Sequence, residues 1–458
     1  MREIVEKAIS KGAEFCDIRT VETESTLLEF KDGKLQTVNS GLDRGGGLRT
    51  ISKGAWGFSS FTDTSRESLE KALNASLATS IQLADKVSPK VVLAKVDPSS
   101  KEFKWTPEKD PIPVPIETKL EMIRDMHDSA KEVEGVHSVT TAYGDIRDTV
   151  RIVNSEGTDL RSEVTRTFGR VQVTARKGSD VVSFADACGA TGGMEIFDLR
   201  DPIAMSKSAG ESAVRILSAR RPPSGTMPLV ADPDLAGVFA HEAVGHASEG
   251  DWVVAGNSCL EGIMGEKIGN DMVTIIDDPG LDGGYGSFPF DSEGVIGKKK
   301  FLVDHGVLSE YILNRETAHL LKMEPNGGAR AASYNVLPIV RMSNTYIQEG
   351  DYSFEEVLEG IGKGVYAKGT RGGQVSTARG TFQFNASEAF LIENGEITVP
   401  LKDVSFSGQT LEVLKSIDRV GNDFQLGRPG NCGKYQWVPV SDGGPHVRVK
   451  EVTIGGGS

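Results

Sequence analysis

The sequence predicts an α+β fold: an N-terminal region of mixed sheet and helices, followed by a C-terminal, mostly antiparallel β domain that carries a helix with the string HExxxH. Three observations lead there. Before position 221 the order helix, strands, helix occurs twice, a pattern that suggests a degenerate duplication. Helices show as apolar residues three and four apart, and strands as alternation. Between the two sets, residues 97–116 hold five prolines, which can neither donate to a ladder nor sit inside a helix. Beyond position 221 the chain is dense in glycine and in two-residue hairpin signals. A length of 458 residues exceeds what one hydrophobic core usually serves. The expected divisions are therefore 1–96 (α+β), 97–116 (proline-rich linker), 117–221 (a second α+β unit) and 222–458 (β-rich).

The individual elements follow in order. Ile4, Val5, Ala8 and Ile9 recur at helical spacing and stop at Gly12. Asp32-Gly33 within FKDGKLQTV is a hairpin signal, and DRGGGLRTISKGAWGFSSF continues the sheet. Thr64 and Glu67 stand three apart as a capping box for a helix reaching about Asp85. After the linker, Leu120, Ile123, His127 and Ala130 mark an amphipathic helix. Strands follow around VHSVTTAYG, TVRIVNSEGTDLRSEV and GRVQVTARKG, then a helix from about Met205 to Arg220. His127 and His137 read as helix-face and strand-face residues. RRPPSG, 220–225, is a natural boundary. Turns at Asp304-His305-Gly306 and Asn394-Gly395 then join antiparallel strands, with short helices at FEEVLEGI and TLEVLKSI.

Composition excludes several classes of function. Hydrophobic residues at 38% and charged residues at 25% describe a globular chain that can bury a core. The 65 acidic against 51 basic residues give a net charge of −14, which repels phosphate backbones and anionic lipid heads. Neither a nucleic-acid nor a membrane partner is expected. Arg2, Glu3, Glu6 and Lys7 interrupt any signal-peptide core, and no window supplies the ~18 apolar residues of a membrane span. A cytoplasmic location is expected. Cys16, Cys188, Cys259 and Cys432 form no CxxC pair and read as thiols in a reducing compartment. Neither a GxSxG nor a GxxxxGK[ST] string occurs, which leaves serine-esterase and P-loop chemistry without local support.

The stretch HEAVGHASEGD, 241–251, carries the candidate chemistry. Asp232-Pro233 is a good helix start, and Leu235, Val238 and Phe239 form a buried stripe leading into His241. On a regular helix, residues four apart lie roughly 40° apart around the axis, whereas residues five apart lie roughly 140° apart. His241 and His246 can therefore share a metal only if the helix ends or bulges at Gly245. Two neutral imidazoles suit Zn²⁺, and Glu242 is placed to take a proton from water that a metal has acidified. A third protein ligand is required, and Glu249, Asp251, Cys259, Cys432 and His446 are all open candidates. Glu249 and Asp251 could equally orient a histidine from behind. The glycines and asparagine around Cys432 in RPGNCGKY suggest backbone brought close to something.

The ordered motifs HEAVGHASEGD, DDPGLDGGYGSFPFDSEG, VLPIVRMSNTYI, YAKGTRGGQV, SEAFLIENGEITVPLK, VGNDF and GNCGK resemble the TldD branch of the TldD/PmbA family, also called modulators of DNA gyrase. The resemblance implies a zinc metallopeptidase with His241, His246 and Cys432 as metal ligands and Glu242 as the base. It also implies action on peptides or unfolded polypeptides, in a dimer with a TldE/PmbA-type paralogue or with a second copy. NGGAR, 326–330, departs from the basic pair expected after Asn-Gly. Sequence-tolerant binding would follow if an extended substrate adds as a strand to an exposed edge. Arg341, Asn344, Thr345 and Gly372-Gly373-Gln374 could line such a cleft or serve in turns. The competing readings are a non-enzymatic binding or regulatory subunit and a zinc-dependent amidase on small amides.

Overall fold

The computed structural model describes residues 1–456. The first half builds one seven-stranded sheet in the spatial order Ala55–Phe61, Lys34–Ser52, Phe15–Lys31, Val136–Asn154, Asp159–Lys177 and Ser100–Trp105, with Asp180–Thr191 also paired to Asp159–Lys177. Strands from both sides of the proline-rich segment thus share a ladder, and Ser100–Trp105 within that segment joins in parallel. Helix, three strands, helix occurs twice along the chain: Arg2–Ser10 to Arg66–Leu83, then Ile116–Lys131 to Pro202–Leu217. The first pair of helices covers a core around Ile18, Leu48 and Leu73. The second pair covers one around Leu28, Tyr143 and Val173.

Local chemistry accounts for most boundaries. Asp32-Gly33, His305-Gly306 and Asn394-Gly395 all take the paired positive φ that a two-residue hairpin turn demands. Two expectations shift. The helix expected to be capped by Thr64 starts instead at Arg66, with the Ser65 hydroxyl accepting from Ser68 N; Asp63 holds Ser65 in place, so the cap moves one residue along. Ile9, counted in the apolar stripe of the first helix, is 42% exposed, because the buried face is Ile4, Val5 and Ala8.

The second half contains a small closed barrel. Strands Gly225–Ala231, Val447–Gly456, Val404–Gln409, Thr381–Glu393 and Lys363–Ser376 pair in a ring that closes between the last two and the first. Stacked Phe382 and Phe384, with Phe406, fill it. Beside it lies a second sheet of mostly short strands, including Ile275–Asp277, Asn344–Ile347, Gln436–Gly444 and Gly430–Lys434. Most pairings are antiparallel, but Asn344–Ile347 with Gln436–Gly444 and Lys363–Ser376 with Gly225–Ala231 are parallel.

Buried charges tie the two halves together. Arg49 pairs with Asp17 on its own sheet and with Glu293 across the junction, 3.1 Å away. Arg166 donates to the carbonyls of Tyr285 and Ser287, both at 2.8 Å. Among the described residues no helix is long and apolar enough to cross a membrane.

Candidate metal centre

The helix that leads to the histidines begins as the residues require. Asp232 Oδ1 accepts from Leu235 N at 2.9 Å and also from Gly369 N at 2.8 Å, which pins the helix start to the barrel. Pro233 occupies the first turn, where its missing N–H costs nothing. Pro233–Phe239 is α-helical, Ala240–Gly245 is a π-helical turn, and His246–Ser248 is a 3₁₀ turn. The wide turn resolves the spacing problem. His246 N–H donates to His241 O, an i→i+5 bond, so each turn takes in about one extra residue and side chains five apart return to the same side.

Gly245 serves this arrangement by its size. Its backbone is right-handed helical, at φ −55° and ψ −55°, so no left-handed conformation is needed. A Cβ there would run into Sδ of Met342, a buried side chain that would have to shift to admit it.

His241 Nε2 and His246 Nε2 each lie 3.2 Å from Cys432 Sγ, and the three donor atoms fall within 4.8 Å of one another. The rings stand nearly perpendicular, at 85°. An ideal tetrahedral zinc site, with Zn–N about 2.0 Å and Zn–S about 2.3 Å, has an N···S edge of about 3.5 Å, so both N···S edges here match it to within a few tenths of an ångström. Both imidazoles and the thiol are buried or nearly so, in a mixed N/S donor set of the kind zinc takes. The residues present fit the group.

The electrostatics are those of a cation cradle. Burial pushes the Cys432 thiol up, but the two adjacent imidazoles outweigh it and bring it down to about 5. Burial lowers both histidines, yet each ends above its ordinary value: His241 through Cys432 and Glu242, His246 further still through Glu249 and Cys432. Both upward shifts favour positive charge at the cluster, the charge a bound metal would supply. His246 Nδ1 donates to Glu249 Oε2 at 3.0 Å, which turns Nε2 toward the thiol. Glu249 is wholly buried and ionised. Burial raises its carboxyl, and His246, Lys434 and Arg341 more than offset that. Lys434 Nζ sits 3.1 Å from it, whereas Arg341 Nε at 3.3 Å pairs by charge without hydrogen-bond alignment.

Glu242 Oε2 lies 3.9 Å from His246 Nε2, with its side chain 37% exposed toward the cavity. That cavity, about 580 Å³, is bordered by Thr370, Gly372 and Gly373 on one side and by the strand Gly430–Lys434 on the other.

Other sequence candidates lie elsewhere. Asp251 binds Lys434 Nζ at 2.6 Å, His446 sits between Asp423 and Tyr366, and Cys259 takes no part in the cluster. Arg341, Asn344 and Thr345 are buried; Asn344 and Thr345 hold the loop that follows Asp277. Gln374 is exposed and does not line the cavity. In NGGAR, Asn326 braces Leu313 and Tyr311, and Arg330 donates to the carbonyls of Met342 and Pro439, so that loop is structural. Sequence reasoning missed Lys434, Asp442, Tyr435 and Trp437 at the cavity. Lys434 was findable, since residues two apart on a strand share a face and Cys432 precedes it by two. Asp442 carries no sequence signal.

Family models match along the chain: the PmbA/TldA metallopeptidase domain 1 over residues 16–80, the central domain over 109–217 and the C-terminal domain over 224–456. A "Metalloprotease" from Methanothermobacter thermautotrophicus is 45% identical over 98% of this chain and 97% of its own length. A "Zinc metalloprotease TldD homolog" from Saccharolobus solfataricus is 31% identical over the full length of both. The solved structure of TldE from Thermococcus kodakarensis shares the fold with a TM-score of 0.80, at 18% identity and full coverage of both chains.

Proposed function

The chain belongs to the PmbA/TldD metallopeptidase family and is a metalloprotease, and we propose that it hydrolyses peptides or unfolded polypeptides with low sequence preference, using zinc held by His241, His246 and Cys432 with Glu242 as general base. The observation that carries this reading is the convergence of His241 Nε2, His246 Nε2 and Cys432 Sγ beside a carboxylate that points into an open cavity. Zinc bound there would acidify a water molecule and polarise the scissile carbonyl. Glu242, the carboxylate facing the cavity, would take the proton released as a water attacks the carbonyl carbon and pass it to the leaving amine nitrogen as the C–N bond breaks. Glu249 keeps the His246 proton on Nδ1, and Lys434 anchors the strand of Cys432 to the same carboxylate.

Strand addition gives the low sequence preference a physical basis. Gly430–Lys434 pairs on one side only, with Gln436–Gly444. Thr370–Ser376 pairs with Thr381–Ala386 and has left the parallel ladder that ends at Ala367. An extended chain between these edges finds main-chain partners whatever its side chains. A peptide scrambled at constant length and composition should then still be cut. The family reading also carries a two-chain assembly, with a TldE/PmbA-type paralogue or a second copy.

The decisive experiment measures bound zinc and peptide cleavage in the wild type, Glu242→Ala and Cys432→Ala. Glu242→Ala should keep zinc and lose turnover by about 10²–10⁴-fold. Cys432→Ala should lose zinc. Full occupancy and rate in Cys432→Ala would reject this ligand set.

A further inference from the structure

Between the N-terminal sheet and the C-terminal half lies a cavity of about 440 Å³ that shares no lining residue with the metal cavity and has Arg19, Arg166 and Arg330 on its walls. These arginines are only 6%, 5% and 7% exposed. A buried cation calls for a carboxylate partner, and Arg166 has one in Asp148, 3.1 Å away. Among the described residues Arg19 and Arg330 have none. Arg19 donates to Ser292 Oγ and to the carbonyls of Ser333 and Val336, and Arg330 only to the carbonyls of Met342 and Pro439. The carboxylates at the cavity are committed elsewhere: Asp148 also accepts from Thr23, and Asp291 accepts from the N–H groups of Glu293, Val295 and Ala329. Asp43, the third, is exposed and pairs with neither arginine. Burial pushes Arg330 down to about 9, with Arg166 and Arg341 adding to it, and pushes Arg19 down to about 10. Both shifts record positive charge that lacks a negative neighbour.

Bracing its loop takes one nitrogen of Arg330. Both hydrogen bonds leave from Nη1, so Nε and Nη2 have no partner among the described residues. Neither is sealed from solvent as Arg341 Nη2 is, and the side chain borders the cavity. Nε and Nη2 form one edge of the guanidinium, whose two parallel N–H groups fit the two oxygens of a carboxylate. This chain uses that edge elsewhere: Arg448 on Asp418 at 2.8 and 2.7 Å, and Arg151 on Asp159 at 3.0 Å in both bonds. The guanidinium carbon of Arg330 stands 5.0 Å from the Phe288 ring centroid, and Phe290, Tyr334, Val438 and Pro439 add apolar wall. We infer that Arg330, with Arg19 and Arg166 on the same walls, is a binding site for a carboxylate carried by a peptide, taken through Nε and Nη2. Apolar walls beside a charged edge suit a peptide end, and every cut in the proposed reaction leaves a new C-terminal carboxylate. Val438 pairs in register with Cys432, so the cavity and the metal centre share a hairpin. Naming a peptide as the carrier rests on the proposed hydrolysis, whereas the need for an anion does not.

The test is calorimetric titration of the full-length Glu242→Ala chain, which should cut nothing, with acetyl-Ala-Phe, its C-terminal amide, and acetyl-Ala-Asp amide, whose one carboxylate is a side chain. Acetyl-Ala-Phe should bind about 10–100-fold tighter than its amide, the worth of a bidentate charge-assisted pair. Arg330→Gln should erase that preference. Because Arg330 also braces Met342 and Pro439, a second variant blocks the cavity and leaves the arginine in place: Ala332→Trp, at an exposed lining position, should erase the preference too. Acetyl-Ala-Asp amide binding like the free acid would assign the site to acidic side chains, and binding like the Phe amide would assign it to chain ends; both sustain a carboxylate site. Equal binding of acid and amide, a preference untouched by Arg330→Gln and Ala332→Trp, or binding of inorganic phosphate alone would overturn it. The preference should persist in Cys432→Ala. Its disappearance there would put the carboxylate on the metal and overturn the proposal, whereas loss of zinc with the preference intact would leave this site standing. A Cys432→Ala chain that kept zinc and cleavage would reject the ligand set and not this site.

Discussion

The N-terminal sheet and the region around the metal cradle both bury charge, but they use it differently. In the sheet, Lys119 and Asp145 form a single pair at 2.6 Å, 3% and 0% exposed, beneath the helix Ile116–Lys131. Around the cradle one carboxylate, Glu249, is shared by His246, Lys434 and Arg341, and Lys434 is shared in turn with Asp251. A pair holds two elements together. A shared carboxylate sets the orientation of His246 and the position of the strand that carries Cys432, so an error in either would reach a metal held in the proposed site. The Lys119–Asp145 pair fixes a helix to its sheet, whereas the charges gathered on Glu249 set the geometry of the candidate site.

Substitutions can break that contrast. The largest stability effect belongs to the sheet: Lys119→Ala leaves Asp145 buried and uncompensated, and should cost about 3–5 kcal/mol. Zinc affinity at temperatures where the variant is still folded should not change. A parallel loss of zinc would mean that the two regions are not separable. Glu249→Gln should weaken zinc binding by about 10–100-fold, read by competition with a chromophoric chelator. Asp251→Asn, whose carboxylate is 35% exposed and touches Lys434 but no histidine, should lose far less. Equal losses in both would show that Lys434, rather than the His246 contact, is what matters.

Smaller effects refine the cradle itself. Gly245→Ala should cost about 1–3 kcal/mol, as overpacking against Met342 does elsewhere in cores, and should reduce zinc affinity by displacing His246. Adding Met342→Ala should restore part of both. If Gly245→Ala were neutral, the glycine would not be what permits the close approach. The pH response is the mildest effect. With Cys432 brought down to about 5, the thiol is already ionised at neutral pH, and the protons that compete with a cation sit on the two raised imidazoles. Zinc affinity should therefore fall as pH is lowered through neutrality, and binding in weak buffer should release protons. Binding at about pH 7 without proton release would contradict the charge state derived for the cluster.

Legibility followed range. Hairpins at Asp32-Gly33, His305-Gly306 and Asn394-Gly395 were readable because the turn chemistry lies in the two residues themselves. The helix start at Asp232-Pro233 was readable for the same reason. The cap at Ser65 was misplaced by one residue because three consecutive hydroxyl or carboxylate residues, Asp63, Thr64 and Ser65, offer equivalent local signals. For the site, HExxxH announced a possible metal but left its third ligand among five candidates. Cys432 stands 191 residues from His241, and nothing local selects it over Cys259 or His446 on the residues alone. Family resemblance pointed to it, and the fold brings its sulfur within 3.2 Å of both imidazole Nε2 atoms.

What the sequence by itself determined is the set of local events: where strands reverse, where helices begin, and which side chains have the chemistry to hold a cation. Those depend on the φ/ψ preferences and hydrogen-bonding groups of a few adjacent residues. Only the tertiary structure decided that the helix widens to a π turn at Ala240–Gly245, that Met342 presses on Gly245, and that Cys432 meets both imidazoles. The last two are contacts between segments about a hundred residues or more apart. Their free energy is settled by packing among partners that no short window contains.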